Sequence, residues 1–441
     1  MKRFTFIIFI FILSNCSFDN KTGIWNNNNV SVSKGDSIFK DFETLNTDEE
    51  TFNSTIEPIN NFKPVIDKAK IKLKWLDEFY QNSNNPENFN YKNLNKLVFK
   101  SKKLSRYDIN DKILFDGSYL IAADTKGNII LYSIEQKNII YTFNFYKKKF
   151  KKIKKKLKLI IDKDIIYVAD NIGYLYAFDY KKEKLLWAHN YKIPFRSNLK
   201  IVKDNLLVAD QNNSLYIINK LDGKKIRIIP TEETILKNTF INSLAFNESS
   251  FFFLNTYGSL YSLTNADNAI NWFLNLNQST NLNASGLFYS KAISIHNKKI
   301  IITTNPYLYI LDSETGRTTS KINMSSLVRP VASGQSLFLI TQNNLLVCLN
   351  INTGKINYSL NINQKIADLL KTKKKSIDIK SLSLVNNELF IFLKNSYIVK
   401  FSVNGKIKKI TKMPVKMKST PIFINDSILY LNNKNQLTIV N

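Results

Sequence analysis

A repeated strand–turn–strand unit is the feature that most constrains what this 441-residue chain can fold into. An apolar strand, a short polar turn and a second, alternating strand recur eight times along the sequence. Early copies read YLIAADTKGNIILYSI (119–134) and IIYVADNIGYLYAFD (165–179). One turn residue per copy, taken as an anchor, gives positions 124, 170, 210, 255, 305, 342, 394 and 432, which are 37 to 52 residues apart.

Each repeat holds more than one hairpin. A further strand precedes the hairpin, as in LKLII (157–161), and another follows it after a turn such as LDGKK (221–225). Four short antiparallel strands in roughly 40 residues are typical of one blade of a β-propeller. The sequence therefore predicts an all-β fold, an eight-bladed β-propeller of four-stranded antiparallel blades over residues 71–441. A β-solenoid is the alternative, but its strands would not come as antiparallel hairpins in fours.

The two ends of the repeat region predict how the ring closes. The last unit has only three strands before Asn441, and KLVFKSKKL (96–104) is a spare strand ahead of the first unit. We expect this N-terminal strand to complete the last blade, because closure removes exposed sheet edges. Trp187 and Trp272 recur at the same distance from their anchors, on predicted outer strands, where docking between blades is the expected role.

The N-terminus has the pattern of an export signal. Lys2 and Arg3 precede a mainly apolar region of ten residues (4–13), too short to span a bilayer, and this region ends in LSNC (13–16). LSNC resembles the lipobox of bacterial lipoproteins, which implies that residues 1–15 are a lipoprotein signal peptide and that Cys16 is lipidated. A secretory signal with an incidental cysteine is the alternative. Residues 16–70 are rich in Asn, Ser and Thr, which predicts a flexible lipid-anchored tether.

Two stretches resemble a known repeat. ADNIGYLYAFDYKKEKLLW (169–187) and the NTGK turn (352–355) are similar to the PQQ-type propeller repeat, which occurs in quinoprotein dehydrogenases and in BamB-type lipoproteins of the outer-membrane β-barrel assembly machinery. A lipobox ahead of a bare eight-bladed domain resembles the BamB type. This resemblance implies a periplasmic, cofactor-free scaffold at the outer membrane that binds the barrel-assembly subunit, with nascent outer-membrane proteins as further candidate partners.

The sequence offers little catalytic chemistry. Its only histidines are His189, on a predicted outer strand without a neighbouring carboxylate or serine constellation, and His296, in a row expected to face the core. Cys348 lies in an apolar run, which predicts a buried, inert thiol. We therefore predict no enzyme, no cofactor and no metal site. A PQQ-dependent dehydrogenase binding PQQ and Ca²⁺ is the alternative.

The net charge of +28 raises the question of an acidic partner. Proteins that recognise specific nucleic-acid sequences rely on arginine for its bidentate hydrogen bonds, whereas almost all basic residues of this chain are lysine. Nucleic acid is therefore not a predicted partner. The run KKKFKKIKKKLK (147–158) is interpreted as the loop from the first blade to the second, ending at the channel mouth. Arginine occurs only at positions 3, 106, 196, 227, 317 and 329.

The candidate site is a ring of cations at one end of the channel. The position fourteen residues before an anchor should lie just ahead of an innermost strand, and it is basic in most units if one residue of slip is allowed. Such a ring would favour an acidic partner. A solvated rim of biased composition and a site for anionic polymer or lipid headgroups are the alternatives. The predicted ring residues are Lys156, Arg196, Lys291, Arg329, Lys380 and Lys418.

The BamB resemblance adds two acidic residues to this candidate site. In that family, the loops entering two consecutive inner strands contact the main assembly subunit. Here the corresponding loops are YKIPFRS (191–197), which contains Arg196, and TEETILKN (231–238), which contains Glu232 and Glu233. The resemblance therefore implies that these three residues contact the partner.

Overall fold

The computed structural model describes residues 51–233, 240–277 and 288–441, and the backbone of two short strands near the N-terminus. These are β1 (Cys16–Phe18) and β2 (Trp25–Asn27), which pair antiparallel. The predicted signal peptide and most of the predicted tether before residue 51 lie outside the described residues. Residues 51–441 form one compact unit.

This compact unit contains eight sheets, each with four antiparallel strands, and one of them carries a fifth, parallel strand, so the predicted eight-bladed propeller is confirmed. Two strands precede the first blade, β3 (Asn88–Phe89) and β4 (Leu97–Lys103). Blades 1 and 2 contain β5 (Leu114–Phe115), β6 (Tyr119–Ala123), β7 (Asn128–Ser133), β8 (Asn138–Asn144), β9 (Leu157–Asp162), β10 (Ile165–Asp170), β11 (Tyr174–Asp179) and β12 (Lys184–Asn190).

The next two blades follow without interruption of the pattern. Blade 3 contains β13 (Lys200–Val202), β14 (Asn205–Ala209), β15 (Leu215–Asn219) and β16 (Lys225–Ile229). Blade 4 contains β17 (Ser243–Phe246), β18 (Ser250–Leu254), β19 (Ser259–Thr264) and β20 (Ile270–Asn275).

Blades 5 and 6 contain β21 (Ser294–His296), β22 (Lys299–Thr303), β23 (Leu308–Asp312), β24 (Thr318–Ile322), β25 (Val331–Ser333), β26 (Ser336–Ile340), β27 (Leu345–Asn350) and β28 (Ile356–Asn361). Blades 7 and 8 contain β29 (Ile379–Val385), β30 (Glu388–Leu393), β31 (Tyr397–Ser402), β32 (Ile407–Lys412), β33 (Ile422–Ile424), β34 (Ser427–Leu431) and β35 (Gln436–Val440). In the described connections between blades, two segments are helical, a 3₁₀ helix (Lys148–Phe150) and α1 (Ile362–Leu370). Among the described residues, no helix has the length and apolar character needed to cross a membrane.

The predicted ring closure is also confirmed. Strand β4 pairs antiparallel with β35 and forms the outermost strand of blade 8, with Phe99 opposite Ile439. The terminal Asn441 and Lys96 exchange two backbone hydrogen bonds of 3.0 Å. The first strand of the ring and the last are thus joined in one sheet, which leaves the ring without a gap.

The middle strands of the blades are buried on both faces, because a neighbouring blade packs against each side. Strands β18 and β26 are buried at every residue, whereas the outer strand β16 is exposed at four of its five positions. This arrangement explains why the second strand of each repeat reads as a continuous apolar run.

Tryptophan docks one blade on the next, as the recurrence of Trp187 and Trp272 at one repeat position predicts. The indole N–H of Trp187, on β12, donates to the carbonyl of Lys220 in blade 3 at 3.0 Å. Gly223 lies under the ring with φ +71°, and a Cβ there would fall 2.5 Å from Trp187 Cε3. Trp272 covers Gly316 of blade 5 in the same way. The glycine of the LDGKK-type turn is therefore required both for its backbone conformation and for the close approach of the indole.

Residues 51–70 differ from the prediction, which placed them in the tether. Ile56 pairs with Ser359 on the outer strand of blade 6 through two 2.8 Å hydrogen bonds. Further along, the carbonyl of Val65 accepts from Gln335 at 3.1 Å, and Asp67 accepts from the Gly334 N–H at 2.9 Å. This segment follows blade 6 from its outer edge to the turn below its inner strand. Composition alone predicted a tether because these stabilising contacts all lie in distant parts of the chain.

The chain then enters the central channel, and residues 70–91 are called the channel segment from here on. The channel segment contacts the innermost strands of the blades in order around the ring. Innermost strands have an unpaired edge toward the axis, and the channel segment satisfies many of these groups. Its contacts include Phe115, Ile161, Lys200, Phe246, Ile295, Ala332, Val385 and Phe423.

Candidate partner-binding face and central channel

The top face of the propeller is the end at which each outer strand connects to the next innermost strand. The predicted rim position has the same backbone geometry in several blades. The N–H of Asn110, Arg196, Lys291 or Lys418 donates to the last residue of the second strand of its own blade at 2.8 or 2.9 Å. The repeat spacing therefore located the rim correctly in these blades.

Three predicted rim cations differ in how open they are to solvent. Lys156 is exposed, and its backbone N–H donates to the side chain of Asn171 at 2.7 Å. Arg196 and Lys291 are half-buried, and the Lys291 amine donates to the hydroxyl of Tyr289 at 2.8 Å. The side chain of Lys156 is thus the most accessible of the three.

Two further rim cations are engaged by carboxylates of the same face. Lys380 Nζ lies 3.5 Å from Asp111, and it also donates to the carbonyl of Lys418. The Lys418 amine contacts Asp108 and donates to Asn435 at 2.9 Å. These carboxylates offset part of the positive charge that the sequence analysis assigned to the rim.

Arg329 does not lie at the rim, contrary to the prediction. In blade 6 the position equivalent to the other rim residues is Leu327, whose N–H donates to Ile340 at 2.7 Å. Arg329 lies two residues further along, inside the channel, and its guanidinium donates to the carbonyl of Phe79 at 2.6 Å. Burial lowers the pKa of Arg329 to about 10, against the opposing effect of Asp77. The predicted rim position in blade 6 was residue 328, and the slip to Arg329 moved it one residue toward the C-terminus. The structure moves it one residue toward the N-terminus instead, to Leu327.

The two predicted acidic residues have different environments. Glu232 accepts hydrogen bonds from Ser259 at 2.7 Å, Asn255 at 3.0 Å and Tyr261 at 3.1 Å, all in blade 4. Burial alone would raise its pKa, but these hydrogen bonds lower it. Glu233 is exposed. Residues 234–238 of the same loop lie outside the described residues. Glu232 thus holds its loop on blade 4, while Glu233 is available to solvent.

The channel holds a second set of charges, which sequence reasoning missed. Asp77 of the channel segment contacts Lys200 at 2.6 Å, and both are buried. Glu78 accepts from the Leu159 N–H at 2.9 Å and lies 3.6 Å from Lys158. Burial raises the pKa of Glu78, whereas Lys158 and the Leu159 N–H act against that rise. The adjacent acids in WLDEF (75–79) were the available signal, since paired acids in a strongly basic chain suggest internal ion pairs.

A cavity of about 290 Å³ remains in the channel above the channel segment. Its lining includes the cations Lys112, Lys291, Arg329 and Lys380, with Phe79 and Glu78 on the segment side. Burial, together with repulsion from Arg329 and Lys158, lowers the pKa of Lys112 to about 8, while Asp111 and Glu78 oppose this shift. The charged part of the lining of this cavity is therefore mainly cationic, and its cations come partly from positions deeper than the rim.

Cys348 and the two histidines lie apart from the channel cavity. Cys348 is buried, and burial raises the pKa of its thiol to about 12, so the predicted inert thiol is supported. His296 is not a core residue; it is half-buried and its Nε2 lies 3.0 Å from the carbonyl of Gly334. His189 contacts the carbonyl of Asp222 at 3.3 Å. Within the described ranges, no three His, Cys, Asp or Glu residues are grouped to hold a metal ion.

Comparison with known proteins agrees with this architecture. Residues 102–321 match a family model described as outer membrane protein assembly factor BamB. A curated relative, the uncharacterized protein RC0314 of Rickettsia conorii, is 24% identical over 393 residues, which cover 84% of this chain and 79% of the relative.

Solved structures show the same fold at low sequence identity. BamB from Moraxella catarrhalis superposes with a TM-score of 0.60 at 12% identity, covering 78% of this chain and 99% of that one. Quinohemoprotein alcohol dehydrogenase from Comamonas testosteroni has a TM-score of 0.62 at 9% identity, covering 84% and 81%. At 12% and 9% identity, these two likenesses establish the fold rather than an activity. The family match and the repeat geometry together identify the chain as a BamB-like member of the PQQ-repeat β-propeller family.

Proposed function

We propose that this protein is a non-catalytic scaffold of the outer-membrane β-barrel assembly machinery. It would be anchored through a lipid on Cys16 to the periplasmic face of the outer membrane. Its top face would bind the barrel-assembly subunit, with nascent outer-membrane proteins as further partners. The observation that carries this proposal is the match of residues 102–321 to the BamB family model.

The chemistry of the top face supports a binding role for a protein partner. Lys156 and Glu233 are exposed there, and Arg196 and Lys291 are half-buried. Charges of both signs on one rim allow selection of a complementary surface and raise its encounter rate. Glu232, Lys380, Lys418 and Arg329 are engaged within the propeller, so we assign them to shaping the loops and the channel mouth.

The test is capture of the barrel-assembly subunit from detergent-solubilised envelope by the tagged full-length chain. The variant carries Lys154→Glu, Lys156→Glu and Lys291→Glu on the top face. We expect this charge reversal to reduce recovery of the subunit at least about tenfold, because several contacts of the rim change sign together. The buried Lys155 is left unchanged, because its substitution would disturb the fold.

The matched control reverses three exposed lysines at the opposite end of the ring, with Lys137→Glu, Lys184→Glu and Lys406→Glu. Recovery with this control should equal that of the unmodified chain. The proposal fails if the unmodified chain never recovers the barrel-assembly subunit, or if both triple variants lose it equally.

The alternative function is a PQQ-dependent dehydrogenase, and the fold shared with quinohemoprotein alcohol dehydrogenase is the observation that favours it. Against it, the channel segment of this chain occupies the axis of the propeller and binds the inner strands with its own side chains. Reconstitution with PQQ and Ca²⁺, followed by dye-linked oxidation of alcohols, distinguishes the two functions. Turnover above a quinone-free control would replace the scaffold proposal with the enzyme.

A further inference from the structure

A cavity of about 550 Å³ opens between blades 8 and 1 on the top face, apart from the central channel. Strands β7 and β8 form one wall, with Ile130, Thr142 and Asn144. Three connecting segments form the rest: the loop after the closing strand (104–107), the top turn of blade 1 (124–128) and the lysine-rich connection to blade 2 (146–155). Its size is within the range of small-molecule binding sites.

The lining of this cavity is strongly cationic. Six basic side chains face one carboxylate, that of Asp124. Both oxygens of Asp124 are occupied: Oδ1 accepts from the N–H groups of Lys126 and Asn128, and Oδ2 accepts from Ser105 and the Asn128 amide. None of the six cations forms an ion pair with a carboxylate in the part of the chain that the structure describes. The six are Arg106, Lys126, Lys147, Lys148, Lys151 and Lys155.

Several of these cations are held in place by the protein. Lys126 Nζ donates to the carbonyl of Lys151 at 3.1 Å and lies 5.4 Å from the centre of the Tyr107 ring. The Arg106 guanidinium lies 4.8 Å from the same ring. Lys155 is buried, donates to the carbonyl of Phe150 and lies 5.0 Å from the Tyr146 ring. Backbone carbonyls and aromatic rings thus fix the cations without neutralising them.

The fixed cations repel one another, and this repulsion favours an anion in the cavity. Burial and the nearby Lys126 both lower the pKa of Lys155, while Asp170 and Asp124 oppose this shift. A single carboxylate ligand has two acceptor oxygens and one negative charge, which would leave most of the six cations without a counter-charge. A phosphate group carries up to two charges and several acceptor oxygens, and lysine and arginine both bind it well.

We propose that this cavity binds a phosphate-bearing anion, either a phosphate monoester or a pyrophosphate. The same chemistry is present in the monoester headgroup of phosphatidic acid and in soluble phosphates, so the test has to separate these two sources. The proposal uses residues outside the top-face positions assigned to the protein partner, and it does not rest on that function.

The soluble arm measures pyrophosphate binding by titration calorimetry on the full-length chain. The test variant carries Arg106→Gln, Lys148→Gln and Lys151→Gln, three exposed residues of the lining. Each lost charge-assisted hydrogen bond weakens binding substantially, so we expect affinity to fall at least about tenfold. The matched control, Lys373→Gln, Lys374→Gln and Lys375→Gln, removes three exposed lysines from another connection between blades and should leave affinity unchanged.

The membrane arm measures binding of the same three proteins to vesicles, all with Cys16→Ser so that no lipid anchor forms. Vesicles that contain phosphatidic acid, a phosphate monoester, are compared with phosphatidylcholine vesicles. Preference for the anionic vesicles that is lost only in the cavity variant identifies a lipid headgroup as the source. Pyrophosphate binding without vesicle preference identifies a soluble phosphate.

Polyglutamate serves as the competing acidic ligand. The proposal is overturned if neither pyrophosphate nor anionic vesicles bind, or if the cavity variant and the lysine control lose binding equally. It is also overturned if polyglutamate binds in a cavity-dependent manner while both phosphate probes do not, since the site would then fit an acidic peptide. Thermal melting of each variant verifies that the fold is intact.

Discussion

Neighbouring lysines of one run have unrelated environments in this protein. Within KKKFKKIKKKLK, Lys155 is buried with 1% of its surface exposed, while Lys156 beside it is exposed. Lys158 belongs to the innermost strand β9 and lies near Glu78 in the channel. The run therefore divides among a cavity, the solvent and the channel, because a strand begins within it and alternates the direction of side chains.

Lys112 gives the residue-scale prediction, since its pKa is lowered to about 8 by burial and by neighbouring cations. Between about pH 8 and 10.5, the folded chain binds fewer protons than the unfolded chain, so the free energy of unfolding should rise with pH across this window. Below about pH 8, Lys112 is charged in the folded chain, and this charge lowers the free energy of unfolding by its full amount. We expect Lys112→Met to be more stable than the unmodified chain at pH 7, with the difference closing by about pH 10.

Urea unfolding at pH 7, 8, 9 and 10 measures this difference. The comparison of two proteins at each pH cancels the titration of the many exposed lysines. Lys409→Met, at an exposed position on β32, is the control and should show no change in its difference from the unmodified chain across the same range. A constant difference between the Lys112 variant and the unmodified chain from pH 7 to 10 would contradict the lowered pKa.

At the scale of elements, the channel segment closes the inner edges of the blades. The side chain of Asn85 donates to the carbonyl of Ala332 at 2.8 Å and accepts from its N–H at 2.9 Å. Asn84 donates to the carbonyls of Leu244 and Ile293, which belong to neighbouring blades. An asparagine side chain can pair with a strand edge as another peptide would. The segment thus adds hydrogen bonds between neighbouring blades to those that the blades make directly, such as the 2.9 Å bond from the Ile293 N–H to the Ser243 hydroxyl.

We predict that Asn85→Ala lowers the free energy of unfolding by about 1–3 kcal/mol, because it leaves a buried N–H and a buried carbonyl of Ala332 without partners. Asn82→Ala is the control: its side chain is exposed, and only its backbone carbonyl binds the propeller. Equilibrium unfolding in urea measures both variants. Equal stability of the two would mean that water replaces the asparagine in the channel.

At the scale of the whole molecule, the ring is held by the pairing of strands from opposite ends of the domain. Strand β35 lies between β34 and β4, so it carries the hydrogen bonds that join the last repeat to the N-terminal strand. It also buries Leu437 and Val440 completely. Because closure removes the exposed edges, we expect the folded ring to unfold as one cooperative unit.

Deletion of residues 436–441 tests this closure. The loss of two fully buried aliphatic side chains and of the β4 pairing should lower the free energy of unfolding by at least about 4 kcal/mol and make residues 97–103 sensitive to protease. Deletion of Asn441 alone is the control, since it removes the two terminal hydrogen bonds with Lys96 and the one that Ser427 donates to the Asn441 side chain, but leaves strand β35 in place. Similar unfolding midpoints for the two deletions would show that closure contributes little to the stability of the ring.

The sequence by itself determined the number of blades, their strand order and the closing strand. These properties repeat along the chain, and each depends on local alternation and turn chemistry, as in the Asp124 and Asp170 turns. It also located the rim position in blades where the spacing from the anchor is regular. It placed Arg329 wrongly because loop length in blade 6 shifts the register, and spacing alone does not show such a shift.

Only the tertiary structure decided where the rest of the charge goes. The contacts of Asp77 with Lys200 and of Asn85 with Ala332 join residues 123 and 247 positions apart. No local sequence pattern predicts contacts at such separations. The phosphate cavity likewise assembles Arg106, Lys126 and Lys151 from three separate segments. The net charge of +28 follows from the sequence. Which of these charges are paired and which are not follows from the fold, because the energy of a charge depends on its burial and on its distance from other charges.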